Sequence, residues 1–254
     1  MRRISFLRFT RLVFMTCAAS ASLSAQAPGK FPPDSLVNTK IIPRNTPPIQ
    51  VVGIMRNFAI DLGVRCQFCH VGREGQPLAQ FDFASDEKQT KAIARQMMLM
   101  AQEINRRVDT LPGHSAQSIQ VTCRTCHRGV SKPTPLSAIV ADAAIASGAD
   151  SALRAYRALK ERYVNGDAYD FREASLNTAA FRTARANKVS DALALLDFNE
   201  QLFPGSSAMS VFRGNILLMR GDTTAAAAAF NEAIKRDSTN TEARGRLRDI
   251  GRAR

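Results

Sequence analysis

Two short segments of the sequence place two thiols and an imidazole in the same order and spacing. Residues 66–70 read CQFCH and residues 123–127 read CRTCH, so both follow the pattern C-x-x-C-H. Two cysteines separated by two residues lie on one side of a tight helical turn, where they can form thioethers with the two vinyl groups of one porphyrin. The adjacent histidine can then bind the iron from the same side. The candidate haem ligands are Cys66, Cys69, Cys123 and Cys126 for the thioethers, and His70 and His127 for the two irons.

A C-x-x-C pair alone also fits a redox dithiol, half of a zinc site or a structural disulfide. The chain contains only three histidines, and two of them directly follow the two cysteine pairs. The pairs use every cysteine except Cys17. The sequence therefore predicts two covalently bound haem c groups, and it assigns no catalytic residue.

The first 27 residues are typical of a secretory signal peptide. A basic start with Arg2 and Arg3 precedes an apolar run and then small residues, and residues 19–21 (ASA) or 25–27 (AQA) could form the cleavage site. A lipoprotein cysteine at Cys17 and an uncleaved anchor are the alternatives. The sequence thus predicts a periplasmic protein that is free, peripheral to the membrane or anchored at it, as c-type haem attachment outside the cytoplasm requires.

The charge of the chain is strongly positive. The formal net charge is +13, and removal of residues 1–27, which carry four arginines and no acid, leaves 31 basic and 22 acidic residues, a net +9. Such an excess suits electrostatic attraction to an acidic redox partner or an anionic membrane surface. No nucleic-acid-binding motif is present, so nucleic acid is not expected as a partner.

The first predicted helix follows the proline-rich residues 28–47. Thr46 as N-cap and Pro47 at the first helical position mark its start, and Gly63 marks its end, three residues before the first cassette. Met55 is a candidate sixth iron ligand, and an ordinary core methionine is the alternative. The apolar face of this helix comprises Val51, Met55, Phe58 and Leu62.

A second helix is predicted after a polar, glycine-containing loop at residues 71–84. Ser85 as N-cap and acidic residues at 86 and 87 indicate its start, and it extends to about residue 108. Met97 and Met100 could both reach a porphyrin, and spacing alone does not choose between them. The apolar face comprises Ile93, Met97, Met100 and Ile104.

Several stretches of this region together carry a family resemblance. They are residues 55–58 (MRNF), 63–72 (GVRCQFCHVG), 81–85 (FDFAS), 94–97 (ARQM), 103–105 (EIN) and 121–129 (VTCRTCHRG). Residues 34–135 resemble the photosynthetic reaction centre cytochrome c subunit family. In that family a methionine on the helix before each of the first three cassettes is the sixth iron ligand. By position, the resemblance implies Met55 for the first haem and Met97 for the second, with Met100 in reserve.

The sequence departs from the family in haem number. The photosynthetic subunit carries four haems, whereas this chain has two cassettes and is similar to one half of that subunit. A histidine before the second cassette ligates a more distant haem in the family, and His114 lies near that place. Because that haem has no cassette here, His114 is interpreted as a solvated loop residue.

Residues 136–254 contain no cysteine or histidine, are rich in alanine and show helical periodicity. Residues 187–196 align with residues 221–230 at an offset of 34. Residues 173–240 resemble tetratricopeptide repeats, which usually bind a peptide or partner subunit, and a generic helical bundle is the alternative. The small and large positions of the repeat are filled by Gly214, Leu217, Ala226, Phe230 and Ala233.

These observations predict an all-α protein: a signal peptide at 1–27, a dihaem cytochrome c domain with long loops at 28–135, and a tetratricopeptide-like helical repeat domain at 136–254. The predicted function is electron transfer between redox partners, one of which could be a membrane-bound complex, with the repeats as the docking module. A dihaem enzyme such as a peroxidase, with one open iron, is the alternative. A third interpretation is that the repeats assemble a complex in which the haems are mainly structural.

Overall fold

The computed structural model describes residues 29–115, 118 and 120–252. The predicted signal peptide and Cys17 lie outside the described residues. Within them the chain is all-α, as expected, with no strand beyond one isolated bridge between Val71 and Asp82. Two short 3₁₀ turns span Cys66–Phe68 and Leu78–Gln80. The helices are α1 Pro48–Leu62, α2 Gln89–Val108, α3 Cys123–His127, α4 Leu136–Tyr163, α5 Glu173–Arg185, α6 Val189–Leu202, α7 Ser207–Met219, α8 Thr223–Arg236 and α9 Thr241–Arg252.

The ends of α1 follow its proline and glycine signals closely. The N-cap is Pro47 and the helix starts at Pro48, one residue later than expected. Gly63 ends the helix in the left-handed conformation, with φ of 63°. This conformation costs glycine little because it has no Cβ, which explains why the C-terminal prediction is confirmed.

The start of α2 was predicted wrongly, because the helix begins at Gln89 and not after Ser85. The Oδ1 atom of Asp82 accepts hydrogen bonds from the N–H groups of Ala84 and Ser85, at 3.0 and 2.8 Å. The Ser85 hydroxyl accepts from the N–H of Glu87 at 3.1 Å. These side chains stabilise turns instead of a helix end, a competition that is common for Asp and Ser.

The protein core lies in the C-terminal half. Among the described residues, every buried apolar side chain lies at or beyond Val130, and α1, α2 and α3 bury none. The core instead joins α4, α5, α6 and α7, and a second cluster joins α7, α8 and α9. The largest fully buried side chains of this half are Tyr156, Phe230, Leu176, Leu195, Leu196, Met209 and Ile216.

The C-terminal helices repeat at the interval seen in the sequence. Helices α5, α7 and α9 begin at residues 173, 207 and 241, and α6 and α8 begin at 189 and 223. Small residues lie where paired helices approach closely, since a Cβ placed on Gly214 would lie 2.5 Å from the ring of Phe230. The helical model agrees with a 34-residue unit, while the assignment to tetratricopeptide repeats stays a prediction.

Helix α4 spans 28 residues and breaks at Ser147 and Gly148, which leave helical geometry. By length and composition alone, it is the one helix of the described chain that could cross a membrane. Its residues Leu136, Val140 and Ala144 are nevertheless fully buried against the neighbouring helices. We therefore describe α4 as a core helix.

Candidate haem-binding sites

The first cassette folds as a tight turn. Residues Cys66–Phe68 form the 3₁₀ turn, and the carbonyl of Cys66 accepts hydrogen bonds from the N–H groups of Cys69 and His70, at 3.2 and 3.0 Å. The two cysteines and the histidine therefore lie within one turn of backbone. This is the local geometry that attachment of one porphyrin at adjacent thiols requires.

The second cassette forms the short helix α3. Thr122 precedes it as N-cap, and the Thr125 hydroxyl accepts a hydrogen bond from the Thr122 N–H at 3.0 Å, which completes a capping box. The helix ends at Arg128, which adopts a left-handed conformation with φ of 49°. Thr125 occupies one of the two unspecified positions of the C-x-x-C-H pattern. Its side chain therefore stabilises the turn that presents Cys123 and Cys126.

All four cassette cysteines carry free thiols, and no disulfide joins them. Cys66 and Cys126 are exposed, whereas burial raises the pKa of the Cys69 and Cys123 thiols. Within the described residues no group of three or more His, Cys, Asp and Glu side chains is arranged to hold a metal ion. Each cassette thus places two thiols within one turn beside a histidine, the arrangement that attachment of one porphyrin needs.

The orientation of His127 suits an axial iron ligand. Its Nδ1 atom lies 3.0 Å from the carbonyl oxygen of Val130. A carbonyl can only accept a hydrogen bond, so Nδ1 carries the proton and the lone pair of Nε2 remains free for a metal. Such a hydrogen bond on the second nitrogen fixes the tautomer and direction of a ligating histidine.

His70 lies in a half-buried position beside Phe83. The two rings meet edge to face, with centroids 5.0 Å apart. The pKa of His70 is lowered, first by burial and then by the charge of Lys91, while the backbone of Phe83 acts in the opposite direction. The surroundings therefore favour the neutral imidazole, which is the form that binds iron.

The candidate sixth ligands differ in exposure. Met55 is half-buried on α1, whereas Met97 and Met100 on α2 are 42% and 49% exposed. Ile93, on the same face of α2, is 48% exposed. A flat apolar body such as a porphyrin fits this exposed face of α2, because burial of apolar surface stabilises the helix that provides it.

The donor set and the apolar faces therefore fit haem at both cassettes. Cys66 and Cys69 would hold one porphyrin, and Cys123 and Cys126 the other, with the histidines as iron ligands. Haem bound in this way supplies a one-electron Fe(II)/Fe(III) couple, whose potential depends on the axial ligands and their surroundings.

Helix α2 contacts both cassettes. Near its start, Lys88 Nζ donates to the carbonyl of Gln67 at 2.9 Å. Near its end, the Asn105 amide donates to the carbonyl of Val121 at 2.9 Å and accepts from the Val121 N–H at 2.7 Å. Asn105 thereby fixes the backbone two residues before Cys123. Sequence reasoning missed this role, although Asn105 belongs to the EIN stretch of the family resemblance.

A backbone contact joins the segments that flank the two cassettes. The N–H of Gly129 donates to the carbonyl of Asp61 at 2.8 Å. A Cβ added to Gly63 would lie 2.0 Å from the carbonyl oxygen of Gly129. Gly63 precedes Cys66 by three residues and Gly129 follows His127 by two, so this junction fixes the end of α1 against α3. We refer to this contact as the Gly63–Gly129 junction.

Substitution of Gly63 by alanine is expected to disrupt this junction. The left-handed backbone costs alanine roughly 1–2 kcal/mol, and the clash with Gly129 adds about 1–3 kcal/mol of unfolding free energy. Gly75→Ala is the matched control, because Gly75 has φ of 77° but no atom within 4 Å of an added Cβ. Denaturant unfolding of the holoprotein should show a larger loss for Gly63→Ala, and equal losses would contradict the steric role of the junction.

His114 was interpreted from the sequence as a solvated residue, but the structure places it in a partly buried position. Its side chain is only 22% exposed, and its Nε2 atom lies 3.1 Å from Oδ1 of Asp109. The short turn after α2 brings this carboxylate back toward the imidazole, since the N–H of His114 donates to the carbonyl of Leu111 at 3.1 Å. In this position His114 interacts with the acid at the end of its own helix.

The second cassette also contacts the C-terminal helices. Arg124 forms an ion pair with Asp167 at 3.0 Å. A cleft of about 420 Å³ lies between Cys126 on one side and Leu136 and Tyr169 on the other. A second cleft, of about 560 Å³, borders the first cassette at Arg65 and Phe68. One wall of the second cassette is thus supplied by residues beyond the predicted cytochrome domain.

Comparison with protein families identifies one match. Residues 64–160, less than half of the chain, match the family model described as "Photosynthetic reaction centre cytochrome C subunit". The match includes both cassettes and α2 and extends through Lys160 in α4, whereas Met55 lies before it. No curated protein matches the chain. The family match supports covalently bound haem c and a c-type cytochrome that carries electrons.

Proposed function

We propose that this protein is an exported dihaem c-type cytochrome that carries electrons between redox partners. The observation that carries the proposal is the pair of C-x-x-C-H segments, each of which places two cysteines and an adjacent histidine within one turn. The family match at residues 64–160 supports electron transport as the general role. The proposal goes beyond the family match in three respects: two haems, export and redox partners.

Electron transfer is favoured over catalysis by the methionines near the cassettes. Met55 and Met97 lie on the apolar faces of α1 and α2, and the family resemblance implies both as sixth ligands. A methionine thioether stabilises Fe(II), and full coordination of both irons leaves no position for a substrate. An enzyme such as a peroxidase would need one five-coordinate iron, so the coordination number separates the two functions.

Helices α5–α9 are proposed as the docking module. Their starts recur every 34 residues, and successive helices pack around two clusters of buried residues that meet at α7. Stacked helical pairs of this kind present extended surfaces for protein partners. The net charge of +9 on residues 28–254 favours a partner with an acidic surface.

The proposal is tested by haem content and ligand binding. Protein exported together with a c-haem maturation system should exceed the mass of the processed chain by two haem groups, since both cassettes carry free thiols. The reduced protein should bind no carbon monoxide, because both irons are coordinated on both sides. Intact mass spectrometry and difference absorption spectra measure the two properties on the same sample.

Other outcomes of the mass, carbon monoxide and reduction measurements would contradict the proposal or favour another function. A mass increase of one haem or none contradicts the dihaem proposal. Binding of carbon monoxide by the unmutated protein at one haem reveals an open iron and favours the enzyme. Two low-spin haems that cannot be reduced within the physiological range favour a structural role for the haems.

A further inference from the structure

Cationic side chains cluster at the N-terminal part of α2, next to the loop segment that packs against His70. The Nζ atom of Lys91 donates to three successive carbonyls, those of Phe83, Ala84 and Ser85, at 3.0, 3.1 and 2.7 Å. The ring of Phe83 is the one that packs against the His70 imidazole. Lys91 is thus held against the segment that supports the proximal histidine of the first cassette.

Arg95, one turn later on α2, belongs to the same cluster. Its guanidinium lies 2.9 Å from Oδ1 of Asp86 and donates to the carbonyl of Asn38 at 3.1 Å. Lys91 Nζ lies 3.2 Å from the same Asp86 oxygen, and Lys40 lies 3.0 Å from the other. Three cations therefore surround one carboxylate, and the cluster retains an excess of positive charge.

Lys91 and Arg95 are well shielded from solvent. Their side chains are only 12% and 15% exposed, in contrast to Lys40 at 57%. Charges removed from water act over longer distances and are screened less by salt. The charges of both cations act to lower the pKa of His70, and the Nζ group of Lys91 already bonds protein oxygens.

We propose that the partly buried pair Lys91 and Arg95 raises the reduction potential of the haem at the first cassette. This inference rests on the proposed function, because it concerns the haem that His70 would bind. Oxidation of Fe(II) to Fe(III) adds one positive charge at the iron, and fixed cations beside the proximal ligand disfavour that change. Neither side chain touches the reacting metal, so both are positioning residues that act through the field at His70.

The second cassette lacks the corresponding feature. The carbonyl of Val130 accepts from His127, and no described lysine or arginine side chain donates to that carbonyl. The removal of the Lys91 charge should therefore change one of the two haem potentials and leave the other unchanged.

The test compares Lys91→Met with Lys40→Met in the haem-loaded protein. Methionine keeps a long apolar stem and removes the charge. Lys40 is the matched control, because it pairs with the same Asp86 carboxylate at 3.0 Å but its side chain is 57% exposed. Lys91→Met should lower the Fe(II)/Fe(III) ratio of one haem about tenfold at fixed ambient potential, or about 59 mV for a one-electron couple. Lys40→Met should cause less than half of that shift, because solvent and salt screen an exposed charge.

Two further measurements separate charge from structure. Lys91→Arg, which keeps the charge, should restore most of the potential. The shift should also persist from about 0.1 M to about 1 M salt, although the screening length falls from about 10 to about 3 Å. Spectroelectrochemical titration measures all variants, and Arg95→Met replaces Lys91→Met if the latter does not fold.

The inference is overturned if Lys91→Met shifts the potential no more than Lys40→Met, or if Lys91→Arg shifts it as much as Lys91→Met. An equal shift of both haems also overturns it, because the effect would then be general to the protein. These outcomes presuppose two haems by mass. A protein without them contradicts the proposed function itself and is recognised before any titration.

Discussion

Replacement of all four cassette cysteines by serine is expected to leave residues 29–130 without stable tertiary structure, while α4–α9 remain folded. Among the described residues before Val130 no side chain is buried, so helices α1 and α2 have little protein surface to pack against. Isolated helices of 15 and 20 residues are marginal in water. The C-terminal helices keep their own core, which includes Tyr156, Leu195 and Phe230.

Hydrogen exchange with mass spectrometry measures this result segment by segment. In the variant, the opening free energy of α1 and α2 should fall to about 0 kcal/mol, as for mobile segments, while peptides from α5–α8 stay protected. The double variants Cys66→Ser/Cys69→Ser and Cys123→Ser/Cys126→Ser serve as controls that remove one attachment at a time. Unchanged protection of α1 and α2 in the four-serine variant would show that the cytochrome region folds without its haems.

Met55→Ala is expected to open the first haem to carbon monoxide and lower its potential, and Met97→Ala should do the same at the second. A methionine thioether is a soft ligand that favours Fe(II), so its loss shifts the couple toward Fe(III). In each variant carbon monoxide binding should rise from none to about one equivalent per protein, if one iron loses its sixth ligand. Absorption spectra of the reduced protein with and without carbon monoxide measure both effects.

Met100→Ala is the matched control on the same helix. Met97 and Met100 are both about half exposed and lie about one turn apart on α2. Met100→Ala should bind no carbon monoxide and should leave both potentials unchanged. If Met100→Ala opens a haem and Met97→Ala does not, the sixth ligand is Met100. If neither variant opens a haem, the second iron has a ligand from elsewhere in the chain.

Local signals in the sequence predicted the cassettes and the ends of α1 well. The chemistry of C-x-x-C-H depends on spacing within one turn, and proline and glycine act on their own backbone, so Pro47 and Gly63 mark α1 to within one residue. The 34-residue offset likewise predicted where the C-terminal helices recur. In each case the determining interaction joins residues that are close in sequence or repeated.

Competing local hydrogen bonds and tertiary contacts explain the features that the sequence did not predict. Helix α2 starts later than expected because Asp82 and Lys91 stabilise the preceding loop. Helix α4 packs against α5 and α6 through buried residues that include Leu136, Val140 and Tyr156. The roles of Asn105 and of the Gly63–Gly129 junction require contacts across 16 and 66 positions of the chain. Such pairs leave no periodic pattern in a single sequence.

The Gly63–Gly129 junction also has a consequence for maturation, if the protein is exported and loaded with haem as proposed. A chain exported from its N-terminus would present Cys66 and Cys69 before residue 129 has emerged. Until then α1 lacks the segment that fixes its C-terminal end. Attachment of the first haem would then take place on an undocked, accessible segment, and the junction would form only after the second cassette has emerged.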